Sequence, residues 1–158
     1  MNGQTEQQFL VLIADDSEND RLLLNIALRR AGRLRAVAEV TNGAEAIAYL
    51  QGRGGFADRE KFPLPDLLLL DLNMPVKSGF DVLTWLRRQY WPNLKVVVLT
   101  DSMDPEHIKR ALDLGAHLFQ VKPSSSGELE SMILALEESL LNSTGLLLRH
   151  GHPVARMA

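Results

Sequence analysis

Cysteine is missing from all 158 residues, which excludes disulfides, thiolate catalysis and cysteine-ligated metal sites. A surplus of positive charge is missing too. Seventeen Lys and Arg stand against 20 Asp and Glu, for a formal net charge of −3, so electrostatics give no reason to expect nucleic-acid binding. No apolar run approaches the roughly 20 residues that a bilayer-spanning helix requires. Residues 1–8 lack the basic region and apolar core of a secretion signal, and the expectation is a soluble cytoplasmic protein with no membrane partner. The glycine pattern that cradles nucleotide phosphates after a first strand is also absent; IADDSEND stands there instead.

What is present suits one domain. The hydrophobic content of 46% and charged content of 23% are ordinary for a globular chain, and the length allows one sizeable core. The expected division is a tail over residues 1–8, a domain over 9–141 and a second tail over 142–158.

The organising stretch is LLLLDLNMP, residues 67–75. Four leucines between Pro65 and Pro75 are too few for an ordinary helix and read as a strand buried on both faces. Asp71 then stands at the carboxyl end of that strand, the edge where open α/β sheets bind ligands. Taken alone, Asp71 reads equally well as a residue that merely ends a strand. Three other apolar runs, however, deliver polar groups to the same edge: FLVLIA (9–14) ends in Asp15 and Asp16, KVVVL (95–99) ends in Thr100, and residues 117–121 end in Lys122.

Between these strands lie helical patterns. Ser17 with Asp20 reads as a capping box opening a helix at Glu18, with Leu22, Leu23, Ile26 and Ala27 as its apolar stripe and Gly32 as its stop. Arg29, Arg30 and Arg33 suit the negative end of that helix, or else form a phosphate-binding patch. A weaker strand over 35–40 precedes a helix boxed by Asn42 and Glu45 and carrying Ala46, Ile47 and Leu50. Residues 52–65, with glycines, prolines and mixed charge, form a loop longer than α/β connections usually are, which suggests a surface elaboration serving a partner. Ser78 with Asp81 opens the next helix, which carries Phe80, Leu83 and Leu86. Asp104 and Pro105 open another, continuing through Ile108, Ala111 and Leu112 to Gly115. Ser125 with Glu128 opens the last, where Leu129, Met132, Ile133, Leu136 and Leu140 repeat with helical period. Five alternations of strand and helix predict an α/β fold: a doubly wound, five-stranded parallel sheet of flavodoxin-like order 2-1-3-4-5. Strands one and three are then neighbours, and Asp15, Asp16 and Asp71 converge.

Three carboxylates in one crevice take up protons or bind a cation. Hard oxygen donors favour Mg²⁺, which keeps open positions for phosphoryl oxygens. Lys122 and Thr100 are placed to hold the remaining oxygens while a carboxylate attacks phosphorus in line.

Asp15-Asp16, Asp71 within DLNMP, Thr100 and Lys122-Pro123, at these spacings, resemble the CheY-like receiver domain of two-component response regulators, over nearly the whole chain. The resemblance implies that Asp71 is the phosphoacceptor for a sensor histidine kinase. It implies that Asp16 and Asp71 hold Mg²⁺ by side chain, Asn73 by its backbone carbonyl and Asp15 through water. Lys122 would pair with the phosphoryl group across a cis peptide to Pro123. Thr100 would move toward the phosphoryl oxygen, with Phe119 turning inward as the aromatic switch. The long connection before the central strand and the wording LLLDLNMP look most like the single-domain regulators paired with bacterial phytochromes. No output domain follows, which points to action through protein contact, including a homodimer through the last two helices and fifth strand.

Two departures from the family pattern matter. Asp101 stands where the family usually has a small residue, and is expected to slow phosphorylation relative to Asp101→Ala. Phe119 lacks the hydroxyl of the commoner tyrosine, so its switching would rest on ring packing. Two other readings compete: a hydrolase forming a phosphoaspartate on a small-molecule substrate, and a degenerate receiver that only binds partners. The first lacks a general acid two residues after the nucleophile, where Asn73 stands, and retention of the whole site set argues against the second. In the tail, Leu146, Leu147 and Leu148 read either as a docking segment or as a frayed end. His150 and His152 form at most an opportunistic metal pair. His107 and His117 are expected to face solvent.

Overall fold

The computed structural model describes residues 7–142, so the readings of residues 146–152 lie outside the described residues. The chain alternates β1 (Phe9–Ala14), α1 (Glu18–Ala31), β2 (Leu34–Val40), α2 (Gly43–Gln51), β3 (Leu67–Leu70), α3 (Gly79–Arg87), β4 (Lys95–Thr100), α4 (Pro105–Asp113), β5 (Leu118–Val121) and α5 (Ser126–Leu141). All neighbouring strands pair in parallel, in the order β2-β1-β3-β4-β5. This is the expected doubly wound α/β sheet.

Successive strand residues point to opposite faces, and here each face meets helices. Leu67 and Leu69, with Val11, Ile13, Val97 and Leu99, pack beneath α1 and α5. Leu68 and Leu70, with Leu12, Val98 and Phe119, pack beneath the helices of the other side. Burial on both sides explains why β3 is an unbroken leucine run rather than an alternating pattern.

The α5 stripe is as expected, with Leu129, Met132, Ile133, Leu136 and Leu140 all buried. The α1 stripe holds only in part: Ala27 is buried and Leu23 packs against the same core. Leu22 is 57% and Ile26 37% exposed, while Leu24, Ala27 and Leu28 are the buried set. Apolar residues surround much of this helix, so periodicity alone could not choose the face; packing against α5 chooses it. Among the arginines, Arg30 pairs with Glu130 of α5, and the Arg33 amide donates to the buried Glu137 at 2.8 Å.

The segment 52–65 contains one 3-10 turn, Gly54–Phe56, and is tied to α2. The Arg59 guanidinium donates to the carbonyls of Tyr49 (2.9 Å), Leu50 (2.8 Å) and Phe62 (3.1 Å), satisfying acceptors that a helix end leaves open. The rings of Tyr49, Phe56 and Phe62 meet tilted or edge-on at centroid distances of 5.1 to 6.1 Å, and the Tyr49 hydroxyl donates to the Pro63 carbonyl at 2.8 Å.

Neither of the two described histidines lies free in solvent as expected. His107 is half-buried, shares a 2.6 Å hydrogen bond with the Ser102 hydroxyl, and meets the Phe80 ring edge-on. His117 is also half-buried, and its Nδ1 accepts from the Val96 amide at 3.0 Å.

Candidate functional site

The carboxyl ends of β1 and β3 lie side by side, Ala14 pairing with Leu70. The Asp71 amide continues that pairing with a 2.9 Å bond to the Ala14 carbonyl. This register brings the acids together: one carboxylate oxygen from each of Asp15, Asp16 and Asp71 lies within 4.8 Å of the others. Asp15 is 2% and Asp71 5% exposed, while Asp16 opens to solvent. Two buried acids beside an exposed third leave a mouth on the solvent side. An all-oxygen donor set of this kind fits a hard divalent cation.

Lys122 arrives from the far end of the sheet. Its Nζ lies 2.9 Å from Asp15, 3.3 Å from Asp71 and 2.7 Å from Asp20, with the lysine side chain only 10% exposed. Burial lowers the pKa of the ammonium, but the hydrogen bonds it donates to Asp20 and Asp15 and the charges of Asp71 and Asp15 outweigh it, so the net shift is upward. Lys122 therefore stays charged at neutral pH. Burial raises the pKa of the Asp71 carboxyl, opposed by the Lys122 charge and the Asn73 amide. That amide donates to Asp71 Oδ1 at 3.3 Å, while Oδ2 faces Lys122.

The loop after Asp71 is held by close packing. The Gly79 amide donates to the Leu72 carbonyl at 2.9 Å, and a Cβ on Gly79 would come within 2.3 Å of the Asp71 carbonyl oxygen. A side chain at Gly79 would therefore displace the backbone that carries Asp71. Val76 in the same loop has φ +67°, a left-handed conformation unfavourable for a β-branched residue. Ser78 and Asp81 form the full expected capping box at the head of α3.

Thr100 ends β4, wholly buried, and its carbonyl accepts from the Lys122 amide at 2.8 Å. Its hydroxyl accepts from the Ser102 amide at 3.4 Å, so the side chain is turned to its own loop. Asp101 next to it is exposed. Phe119 is 0% exposed within the core beneath α2 to α4. The inward turn expected of it thus finds the ring already inside, as suits an aromatic with no hydroxyl to keep wet. The peptide between Lys122 and Pro123 is also not the expected cis form, since there is no cis peptide among the described residues. Trans is the isomer favoured by about 0.5–1 kcal/mol for bonds before proline.

Asp20 is the site residue that sequence reasoning missed. It was expected to serve the α1 capping box, but only half of that box forms. Ser17 Oγ accepts from the Asp20 amide at 3.2 Å, whereas the Ser17 amide donates to Asp15 Oδ1 at 2.9 Å. The available signal was an acid on the first turn after Asp15-Asp16, which local spacing assigns to capping. Arg21 also braces the site, donating to the Asp15 carbonyl at 2.9 Å and pairing with Glu39 at 3.3 Å.

Known proteins resemble this chain in sequence and in fold. Response regulator Rcp1 of Synechocystis sp. is 29% identical over 149 residues, covering 92% of this chain and 98% of that protein. The crystal structure of its Mn²⁺-bound form superposes with a TM-score of 0.72 at 29% identity, over 85% of this chain and 96% of that one. The phosphorylated cyanobacterial phytochrome response regulator RcpA gives a TM-score of 0.75 at 31% identity, covering 85% and 95%. Response regulator RPA3017, in red light signaling of R. palustris, gives 0.76 at 34% identity, covering 84% and 94%. The model of the response regulator receiver domain matches residues 11–134. With its acids and lysine gathered at one sheet edge and this match spanning most of its length, the chain belongs to the response regulator receiver family.

Proposed function

We propose that Asp71 accepts a phosphoryl group from the phosphohistidine of a sensor histidine kinase, and that Mg²⁺ is the cation required. Receiver domains bind a divalent cation at this acidic cluster and are phosphorylated by such kinases. The observation that carries the reading is the meeting of Lys122 with Asp71 and Asp15 in a pocket that Asp16 opens to solvent. Asp16 and Asp71 would hold the cation by side chain, Asn73 by its carbonyl and Asp15 through water. When bound, the cation would offset negative charge on the phosphoryl oxygens.

The chain's own groups do the rest. An Asp71 carboxylate oxygen bonds to phosphorus as the P–N bond to the kinase histidine breaks, and that electron pair leaves with the imidazole. Lys122 supplies fixed positive charge against the added phosphoryl charge. Thr100 releases Ser102 and turns its hydroxyl to a phosphoryl oxygen, and repacking against Phe119 carries the change to the surface of β4, β5 and the helices beside them. Phosphorylation and loss of the group are catalysed by the domain itself. The kinase is of bacterial phytochrome type, supported by the likeness to Rcp1, RcpA and RPA3017, and the regulator works in the cytoplasm. Output runs through protein contact, including a homodimer through α4, β5 and α5, for which a change in mass by light scattering on phosphorylation is the check.

Incubation with Mg²⁺ and acetyl phosphate, followed by intact mass, should show one acid-labile phosphoryl group. It should vanish in Asp71→Asn and without the cation. Labelling that survives Asp71→Asn would overturn the site, and rapid turnover of many small phosphate esters would favour a hydrolase.

A further inference from the structure

Asp20 occupies the third position of α1, where an acid ordinarily closes the capping box. Here the Ser17 amide has gone to Asp15 at 2.9 Å, and the Asp20 carboxylate, its side chain 30% exposed, is aimed into the site. It accepts from Lys122 Nζ at 2.7 Å, against 2.9 Å for Asp15 and 3.3 Å for Asp71. An ammonium has three protons to donate, and carboxylates surround all three. Two of those carboxylates are nearer than the one that reacts. The ammonium is thus drawn toward α1, and two negative charges beside it cancel much of what it offers to Asp71.

We propose that Asp20 is a positioning residue that tethers Lys122 away from Asp71 and so weakens the site's hold on an incoming phosphoryl group. The proposal rests on the reading of Asp71 as acceptor and Lys122 as its counter-charge. In the step concerned, an Asp71 oxygen bonds to the phosphorus of acetyl phosphate while the P–O bond to acetate breaks. The electron pair of that bond leaves with acetate, and no proton moves. Negative charge accumulates on the phosphoryl oxygens, and Lys122 answers it better once the Asp20 charge is gone. Partial exposure of Asp20 screens its effect, so the change is severalfold rather than of many orders.

The test is Asp20→Asn in the full chain, which keeps size and a hydrogen-bond acceptor but removes the charge. Acceptance from acetyl phosphate with Mg²⁺ should rise about fivefold, and beryllofluoride should bind about fivefold tighter, as expected for one partly screened charge. Asp20→Glu, which keeps the charge, should not reproduce either gain, and in a Lys122→Met background Asp20→Asn should change neither. Slower acceptance, weaker beryllofluoride binding, or an effect that persists without Lys122 would overturn the proposal. A readout that needs no phosphoryl group separates this idea from the function it rests on. Modification of the Lys122 amine by acetic anhydride, followed by peptide mass, should quicken in Asp20→Asn. If that happens while wild-type Asp71 takes no phosphoryl group, the tether stands and the acceptor reading falls. Unchanged amine reactivity, with normal Asp71 labelling, removes the tether and leaves the acceptor.

Discussion

Around Asp71 the backbone is packed without slack, whereas the loop that follows Thr100 is held by a few polar side chains. On the first side, Gly79 presses against the Asp71 carbonyl, the Asp71 amide is locked to β1, and a complete capping box fixes the head of α3. On the second, one 3.4 Å bond joins Ser102 to the Thr100 hydroxyl, Ser102 leans on His107, and Met103 and Asp104 are exposed. Under the proposed function, the contrast separates two tasks. Groups that must meet phosphorus in line need fixed positions, while a segment that must respond needs a small free-energy difference between its arrangements.

The contrast can be broken most severely at Gly79. Gly79→Ala forces a Cβ onto the Asp71 carbonyl and should destabilise the protein by about 2–3 kcal/mol, read as a lower urea midpoint with unchanged slope. A loss below about 0.5 kcal/mol, the size of an ordinary surface change, would mean that the Asp71 side has slack after all. On the other side, His107→Ala removes the Ser102 anchor and should cost about 1 kcal/mol or less. Amide exchange should quicken over residues 101–104 and stay as it was over 71–79. Equal acceleration in both segments would erase the distinction. The smallest effect is expected at Asp101, whose exposed charge is well screened. Asp101→Ala should speed labelling by acetyl phosphate about twofold, and identical rates would clear Asp101 of any part in access.

Much of the fixed side was legible in the sequence. An apolar run with an acid at its end is local information, and β1 and β3 carry it without interruption because both faces are buried. The same was true of the Ser78 and Asp81 box and of the α5 stripe. Three kinds of feature escaped. The buried face of α1 depends on where α5 lies, and LLLNIAL offers apolar residues in too many directions to choose from within. The diversion of Asp20 depends on Lys122, which is 102 residues away, and locally Asp20 looks like an ordinary cap. His107 looked like a surface histidine because Ser102 and Phe80, its partners, come from the loop before it and from another helix. The isomer before Pro123 came from the family resemblance rather than from residues, and there the structure differs.

The insertion over residues 52–65 brings most of its own fastenings. Arg59 staples it to the end of α2, and Phe56 and Phe62 pack against Tyr49 and the core that Tyr49 belongs to. A unit fastened in this way shares the fate of its host helix: fraying at the end of α2 should free the insertion with it.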